Sequence, residues 1–165
     1  GVDDSKELGA PERERLAAEI RRTALAWSVV GVSAAVIDRI NILEATKRAM
    51  RTALARLDPA PDCALIDAVR LSGFAFPCLP VVRGDAISYA VACASILAKV
   101  ERDRQMIEMG QRYPHYGFSV HKGYGVPEHR EALAQYGPSP VHRLTFRTVV
   151  PRGDAHAPAA HGVAA

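Results

Sequence analysis

The apolar positions of the chain change period several times, and each change marks an element. In "PERERLAAEIRRTAL" Leu16 and Ile20 recur at helical spacing, and Thr23 or Ala24 continues the stripe. Pro11, Glu12 and Glu14 suit the positive first turn of that helix. From Ala26 to Ile37 the period is lost. "AWSVVGVSAAVI" is rich in Val and Ala and carries no charge, which predicts a buried strand. Helical spacing returns in "NILEATKRAMRTALARL", where Ile42, Thr46, Ala49, Met50, Ala53 and Leu57 share a face and Asp38 or Asn41 supplies the N-cap. "DPAPD" is a turn.

"CALID", Cys63 to Asp67, reads as a short apolar strand that stops at an acid, and "LPVV" as a second, ended by "RGD". Asp85 suits the N-cap of a long helix from Ala86 to about Gln111. The first half of that helix, "AISYAVACASILAKV", is apolar nearly all round and should be central and buried. "RYPHYGFSVHKGYGVPEH" is a structured loop. Pro127 starts a helix that Gly137 ends, and "GPSPVHRLTFRTV" is a loop running into an extended segment. The order of strands and helices is that of an α/β domain over residues 1–150, with a Pro- and Ala-rich, disordered tail over 151–165.

One position breaks the hydrophobic logic. In "SILAKVERDR" the residues Ile96, Val100, Asp103 and Ile107 fall on one helical face, so a carboxylate sits on an apolar stripe. Asp67, at the end of its strand, has an ordinary reading as a turn former. Asp103 has one as a partner of Lys99, four residues before it, although Lys before Asp is the weaker order. Taken together they point further. An inward acid needs a cation, and Arg102 and Arg104 would have to wrap round from other faces. A hard divalent ion such as Mg²⁺ accepts carboxylates from separate elements.

Composition adds little beyond limits. The 165 residues are 48% hydrophobic and 24% charged, with a net charge of +3, which permits a nucleic-acid partner without requiring one. No apolar run approaches a bilayer span, and "GVDDSKELGAPERER" lacks the apolar stretch of a signal peptide, so a cytoplasmic protein is expected. Cys63, Cys78 and Cys93 form no CxxC pair and read as reduced, mostly buried thiols. His115, His121 and His129 fit no zinc spacing and read instead as loop and phosphate-facing residues. "RGD" at Arg83–Asp85 is a helix start rather than an adhesion motif, and Arg83 remains a candidate phosphate contact. "YPHYGFSVHKGYG" interleaves aromatic and basic residues, as loops that meet nucleic acid can, although ordinary packing gives the same pattern.

"DDSKEL", "NILEATKRAM", "LID", "RGDAISYAVACASILAKVERDR", "YGFSVHKGYGVPEH" and "SPVHRLTF" occur in this order over residues 3 to 149, and together they resemble ribonuclease HII. The resemblance implies a ribonuclease H-like fold, a mixed sheet flanked by helices. It also implies a monomeric endoribonuclease that cleaves RNA–DNA hybrids, and single ribonucleotides in duplex DNA, with Mg²⁺ or Mn²⁺. Asp67 and Asp103 match two of the family's four metal-binding acids. Lys6 resembles a backbone contact, Tyr124 the tyrosine that packs on the sugar beside the RNA–DNA junction, and His142, beside Arg143, a further backbone contact. Two departures stand out. Ala68 replaces the usual Gly after the strand acid, and Ala suits that turn only at negative φ. The opening strand with adjacent Asp and Glu and its Gly-Arg-Gly loop, which in the family contacts the 2′-OH, has no counterpart. The chain, which starts at Gly1, reads as beginning a few tens of residues late and missing its first strands. An inactive nucleic-acid-binding fragment is the alternative to an enzyme, and a truncated product without a stable fold is a third possibility.

Overall fold

The structure is a computed structural model that describes residues 8–149. Lys6 and the tail over 151–165 lie outside the described residues. Helix α1, Ala10–Thr23, begins with Pro in its first turn, and its buried residues are Leu16, Ala17 and Ile20. They pack on Ile96, Leu97 and Val100 of α4, Tyr89–Arg112, to make one part of the core. Helix α2, Ala34–Ala55, is followed by β1, Ala64–Asp67, and β2, Cys78–Val81. The strands pair in parallel, with Ala64 opposite Cys78 and Asp67 opposite Val81. Ala64, Ile66 and Leu71 form a second part of the core, against which Met50 and Leu54 of α2 pack. A third part joins Tyr116, Phe118 and Ala132. Helices therefore flank a sheet, as expected, but the sheet over the described residues is parallel and two-stranded rather than mixed. Among those residues no helix is long and apolar enough to cross a membrane.

Several sequence expectations are corrected. Residues 26–33 form no strand, and 34–37 open α2. A strand needs a neighbour to pair with its backbone, and the described strands pair only with each other. Val29 instead packs against the α1–α4 core. Helix α2 is kinked at Asn41 (φ 64°), whose Oδ1 accepts the Glu44 N–H at 3.1 Å, so Asn41 caps the second segment. Asp38 spans the chain instead. Its carboxylate accepts the backbone N–H groups of Leu144 and Thr145 and the Thr145 hydroxyl at 2.9, 3.1 and 2.7 Å. Ile42 is exposed rather than part of the buried stripe.

The long helix does not start at Asp85. A short helix α3, Gly84–Ile87, ends at Ser88 in an extended conformation, and α4 starts after it. Helix α4 is not buried all round, because Tyr89 and Ile107 are exposed and Ala90, Ala94 and Ala98 line an open face. The aromatic loop contains a 3₁₀ turn, Pro114–Tyr116, and a short helix α5, Phe118–His121. Helix α6 runs Pro127–Tyr136 and ends at Gly137, as its sequence predicts. Residues 143–149 form successive turns rather than an extended segment. All three cysteines are free, but Cys63 is exposed and the other two are half-buried, so none is a buried thiol.

Candidate active site

Asp67 is delivered by strand geometry. It is the last residue of β1, it is exposed, and its Oδ1 accepts the Gly84 N–H at 3.1 Å. The turn that follows takes Ala68 to φ 53°, so the left-handed conformation that Gly would adopt freely is kept by an Ala. The expectation of negative φ at Ala68 is thereby corrected. The Ala68 N–H donates to Val81 O at 2.8 Å, which ties the strained turn to β2. Gly84 is tightly enclosed, because a Cβ there would lie 3.0 Å from side-chain methyls of both Val81 and Val91, which would have to give way by a few tenths of an ångström. That close approach explains the glycine of "RGD". Arg83, also left-handed at φ 55°, is exposed immediately beside the Asp67–Gly84 bond.

Asp103 does face inward from α4, with its side chain 16% exposed. Its partners are Lys99 Nζ at 2.6 Å from Oδ1 and Arg13 Nη2 of α1 at 3.5 Å from Oδ2. The Lys99 pairing is the ordinary reading available from the sequence. Arg13 was not legible, since nothing local in "PERER" singles it out from Arg15, which pairs instead with Glu12 and Glu19 on the exposed face. The apolar stripe ends at Asp103, because Ile107 is exposed.

Lys99 also links the acid to the loop. Its Nζ lies 6.0 Å from the centroid of the Tyr124 ring, within cation–π range, and Tyr124 is 60% exposed. The loop is fastened to α4 by Arg102, whose Nη2 donates to Lys122 O at 3.1 Å. Tyr124, Lys99, Asp103 and Arg13 thus form one connected group. Asp67, Gly84 and Arg83 form another at the end of the sheet.

His142 is 6% exposed and packs its ring on Tyr116 and Phe118. A buried ring does not meet a phosphate, so the expected direct backbone contact is corrected. His129 is equally interior and is not phosphate-facing, while His115 stacks on Tyr136. Burial and the neighbouring His129 ring push the His142 pKa down to about 4, and burial lowers that of His129 as well. Burial works to raise the pKa of Asp38, but its hydrogen bonds from Thr145 and Leu144 hold it below the ordinary value.

The donor chemistry tests the expected divalent metal. Asp67 offers a hard, exposed carboxylate, whereas both oxygens of Asp103 are taken by cations. Among the described residues no three His, Cys, Asp or Glu side chains assemble into a metal-holding group. Two carboxylates, one of them already neutralised, do not hold a pair of divalent ions. The described residues therefore do not by themselves fit Mg²⁺ or Mn²⁺.

The family model for ribonuclease HII matches residues 1–149. The chain is 48% identical over 146 residues to the ribonuclease HII of Ruminiclostridium cellulolyticum, covering 88% of this chain and 57% of that protein. It is 51% identical over 149 residues to that of Solibacter usitatus, covering 90% and 65%. It therefore spans less than two thirds of the length of these relatives. The crystal structure of the ribonuclease H2 from Pyrococcus horikoshii OT3 superposes with a TM-score of 0.77 at 26% identity, over 90% of this chain and 78% of that one. The ribonuclease HII in the PCNA complex from Archaeoglobus fulgidus shares the fold, with a TM-score of 0.71 at 24% identity, over 88% and 78%. The ordered motifs, the helix-flanked sheet and these likenesses agree: the chain belongs to the ribonuclease HII family.

Proposed function

We propose that this chain carries part of the active site of an endoribonuclease that hydrolyses the RNA strand of RNA–DNA hybrids, including single ribonucleotides embedded in DNA. The observation that supports this best is the Lys99 ammonium, 2.6 Å from Asp103 and 6.0 Å from the Tyr124 ring. It joins an inward acid to an exposed aromatic ring on a Gly-flanked loop, as a site that combines phosphate chemistry with sugar recognition requires. Asp67 and Asp103 are the proposed catalytic acids, and with Mg²⁺ or Mn²⁺ they would act alongside carboxylates that the described residues do not supply. Tyr124 packs against the sugar, Arg83 meets a phosphate beside Asp67, and Lys6 contacts the nucleic-acid backbone. His142 supports this region from the interior.

A second reading is favoured by the ion pairs of Asp103 and by the lack of a three-ligand group among the described residues. On that reading the chain binds nucleic acid without cleaving it. The two are separated by incubating the chain with an end-labelled hybrid and a duplex containing one ribonucleotide, with Mg²⁺ or Mn²⁺. Cleavage abolished by Asp67→Asn and by Asp103→Asn supports the enzyme. Binding without cleavage, weakened by Tyr124→Ala, supports the binding chain.

A further inference from the structure

Three histidines from different elements meet behind the Tyr124 loop. His121 ends α5, His129 lies in α6, and His142 lies in the turn that follows α6. The rings of His121 and His129 stack with centroids 4.5 Å apart. His129 Nε2 meets His142 Nε2 at 3.0 Å. Phe118 fixes both stacked rings edge-to-face, at 6.2 Å from His121 and 5.5 Å from His129.

The backbone partners of these rings leave no freedom in where the protons lie. A peptide N–H can only donate and a peptide carbonyl can only accept. The Gly123 N–H donates to His121 Nδ1 at 3.2 Å, so the His121 proton is on Nε2, which donates to Tyr116 O at 2.6 Å. The Ser139 N–H donates to His142 Nδ1 at 2.9 Å, so the His142 proton is also on Nε2. His129 Nδ1–H donates to Tyr124 O at 2.9 Å, which leaves its Nε2 as an acceptor. The contact between the two Nε2 atoms then has one donor, His142, and one acceptor, His129. A single arrangement of protons, with every ring neutral, satisfies all the ring nitrogens.

Two of these bonds grip successive residues of one loop, the N–H of Gly123 and the carbonyl of Tyr124. We propose that His121, His129 and His142 are positioning residues that fix the Gly123–Tyr124 segment, and with it the angle at which Tyr124 meets the sugar of a ribonucleotide. This rests on the reading of Tyr124 as a substrate contact. The anchors of the relay are the backbone of Ser139, a buried residue, and of Tyr116, in the third part of the core, so the loop is referenced to packed structure rather than to solvent.

The test has two arms. Long-range proton–nitrogen NMR on the unsubstituted, histidine-labelled chain at neutral pH should show His129 as the Nδ1–H tautomer and His121 and His142 as Nε2–H. An Nε2–H tautomer at His129 overturns the relay. The second arm measures the preference for a duplex containing one ribonucleotide over the same duplex in DNA alone. Loss of the hydrogen bond in His129→Leu should reduce that preference about tenfold. His129→Asn, whose amide nitrogen stands near the place of Nδ1, should restore most of it. Equal losses in both variants overturn the positioning role. If Tyr124→Ala leaves the preference unchanged, the substrate-contact reading falls and takes the positioning role with it, while the tautomers report on the relay separately.

Discussion

Lys99 Nζ lies 2.6 Å from Asp103 Oδ1, while Arg13 Nη2 reaches the other oxygen of the same carboxylate from α1. The acid is therefore an electrostatic bridge between two packed helices whatever its chemical role. Asp103→Asn leaves Lys99 and Arg13 as neighbouring cations with side chains 28% and 13% exposed. Removing one partner of a partly buried network should cost about 1–3 kcal/mol. Urea unfolding checks this, and Lys99→Met in the same background should recover part of the loss by relieving the repulsion. An Asp103→Asn variant as stable as the parent would show that the bridge does not hold α1 on α4.

The turn after Asp67 stores strain at Ala68, whose φ is 53°. An Ala in the left-handed region costs about 1–2 kcal/mol, and Gly there loses part of that gain to its greater freedom in the unfolded chain. Ala68→Gly should therefore raise stability by about 0.5–1 kcal/mol in denaturant titration, with no loss of nucleic-acid binding. A fall in stability would place the strain elsewhere.

What the sequence disclosed follows from range. Helices α1 and α6, the two strands and the capping role of Asn41 depend on residues within a turn or two of one another, and all were legible. The missed relationships join distant residues. Asp38 to Thr145 spans 107 positions, and His129 to His142 crosses from a helix into a later turn. "AWSVVGVSAAVI" has strand composition, but composition does not supply a pairing partner, so residues 26–33 belong to neither helix nor ladder. Of the proposed site, Asp67 and Asp103 stand out in the sequence by their places at a strand end and on an apolar stripe, and Tyr124 through the resemblance alone, whereas Arg13 does not, because its partner lies on another helix. His142 stands beside Arg143 in the sequence, but its burial is not readable from spacing.

Gly110 is a helix-interior glycine with a packing reason. A Cβ there would lie 2.8 Å from the Ser119 backbone nitrogen and 2.8 Å from its Cβ, so α4 and α5 touch through it. On an exposed helix Gly→Ala would gain about 1 kcal/mol. Here the obstructing atoms include backbone, which cannot swing aside. Gly110→Ala should be destabilising and should loosen the Tyr124 loop, seen as faster amide exchange at residues 118–124. A stabilised variant would mean that α5 can shift without cost.

The buried histidine pair gives stability a defined pH window. His142 titrates near 4 in the folded protein, and His129 is also lowered, against about 6.5 in an unfolded chain. The groups around them are the His121 ring, Tyr116 and Ser139, with Arg102, Arg130 and Arg143 lining the adjoining cavity, so the surroundings are neutral or cationic. Above pH 6.5 both states are neutral and the full stability is present. Between 6.5 and 4 the unfolded chain takes up protons that the folded chain refuses, so stability falls as pH falls. Near 4 the folded state also accepts the His142 proton, and that residue's loss levels off. The ceiling for His142 is about 3 kcal/mol, at about 1.4 kcal/mol for each pH unit between the two pKa values. Asp38 acts in a lower window. Its folded pKa is depressed, so its contribution holds above the ordinary carboxylate value and is lost only as pH drops through the folded one. Urea midpoints followed from pH 7.5 to 4.5 should therefore decline. His142→Gln, less stable at pH 7.5, should decline more shallowly by up to one proton. Parallel slopes in the two proteins would show that His142 is protonated as readily in the folded chain as in the unfolded one.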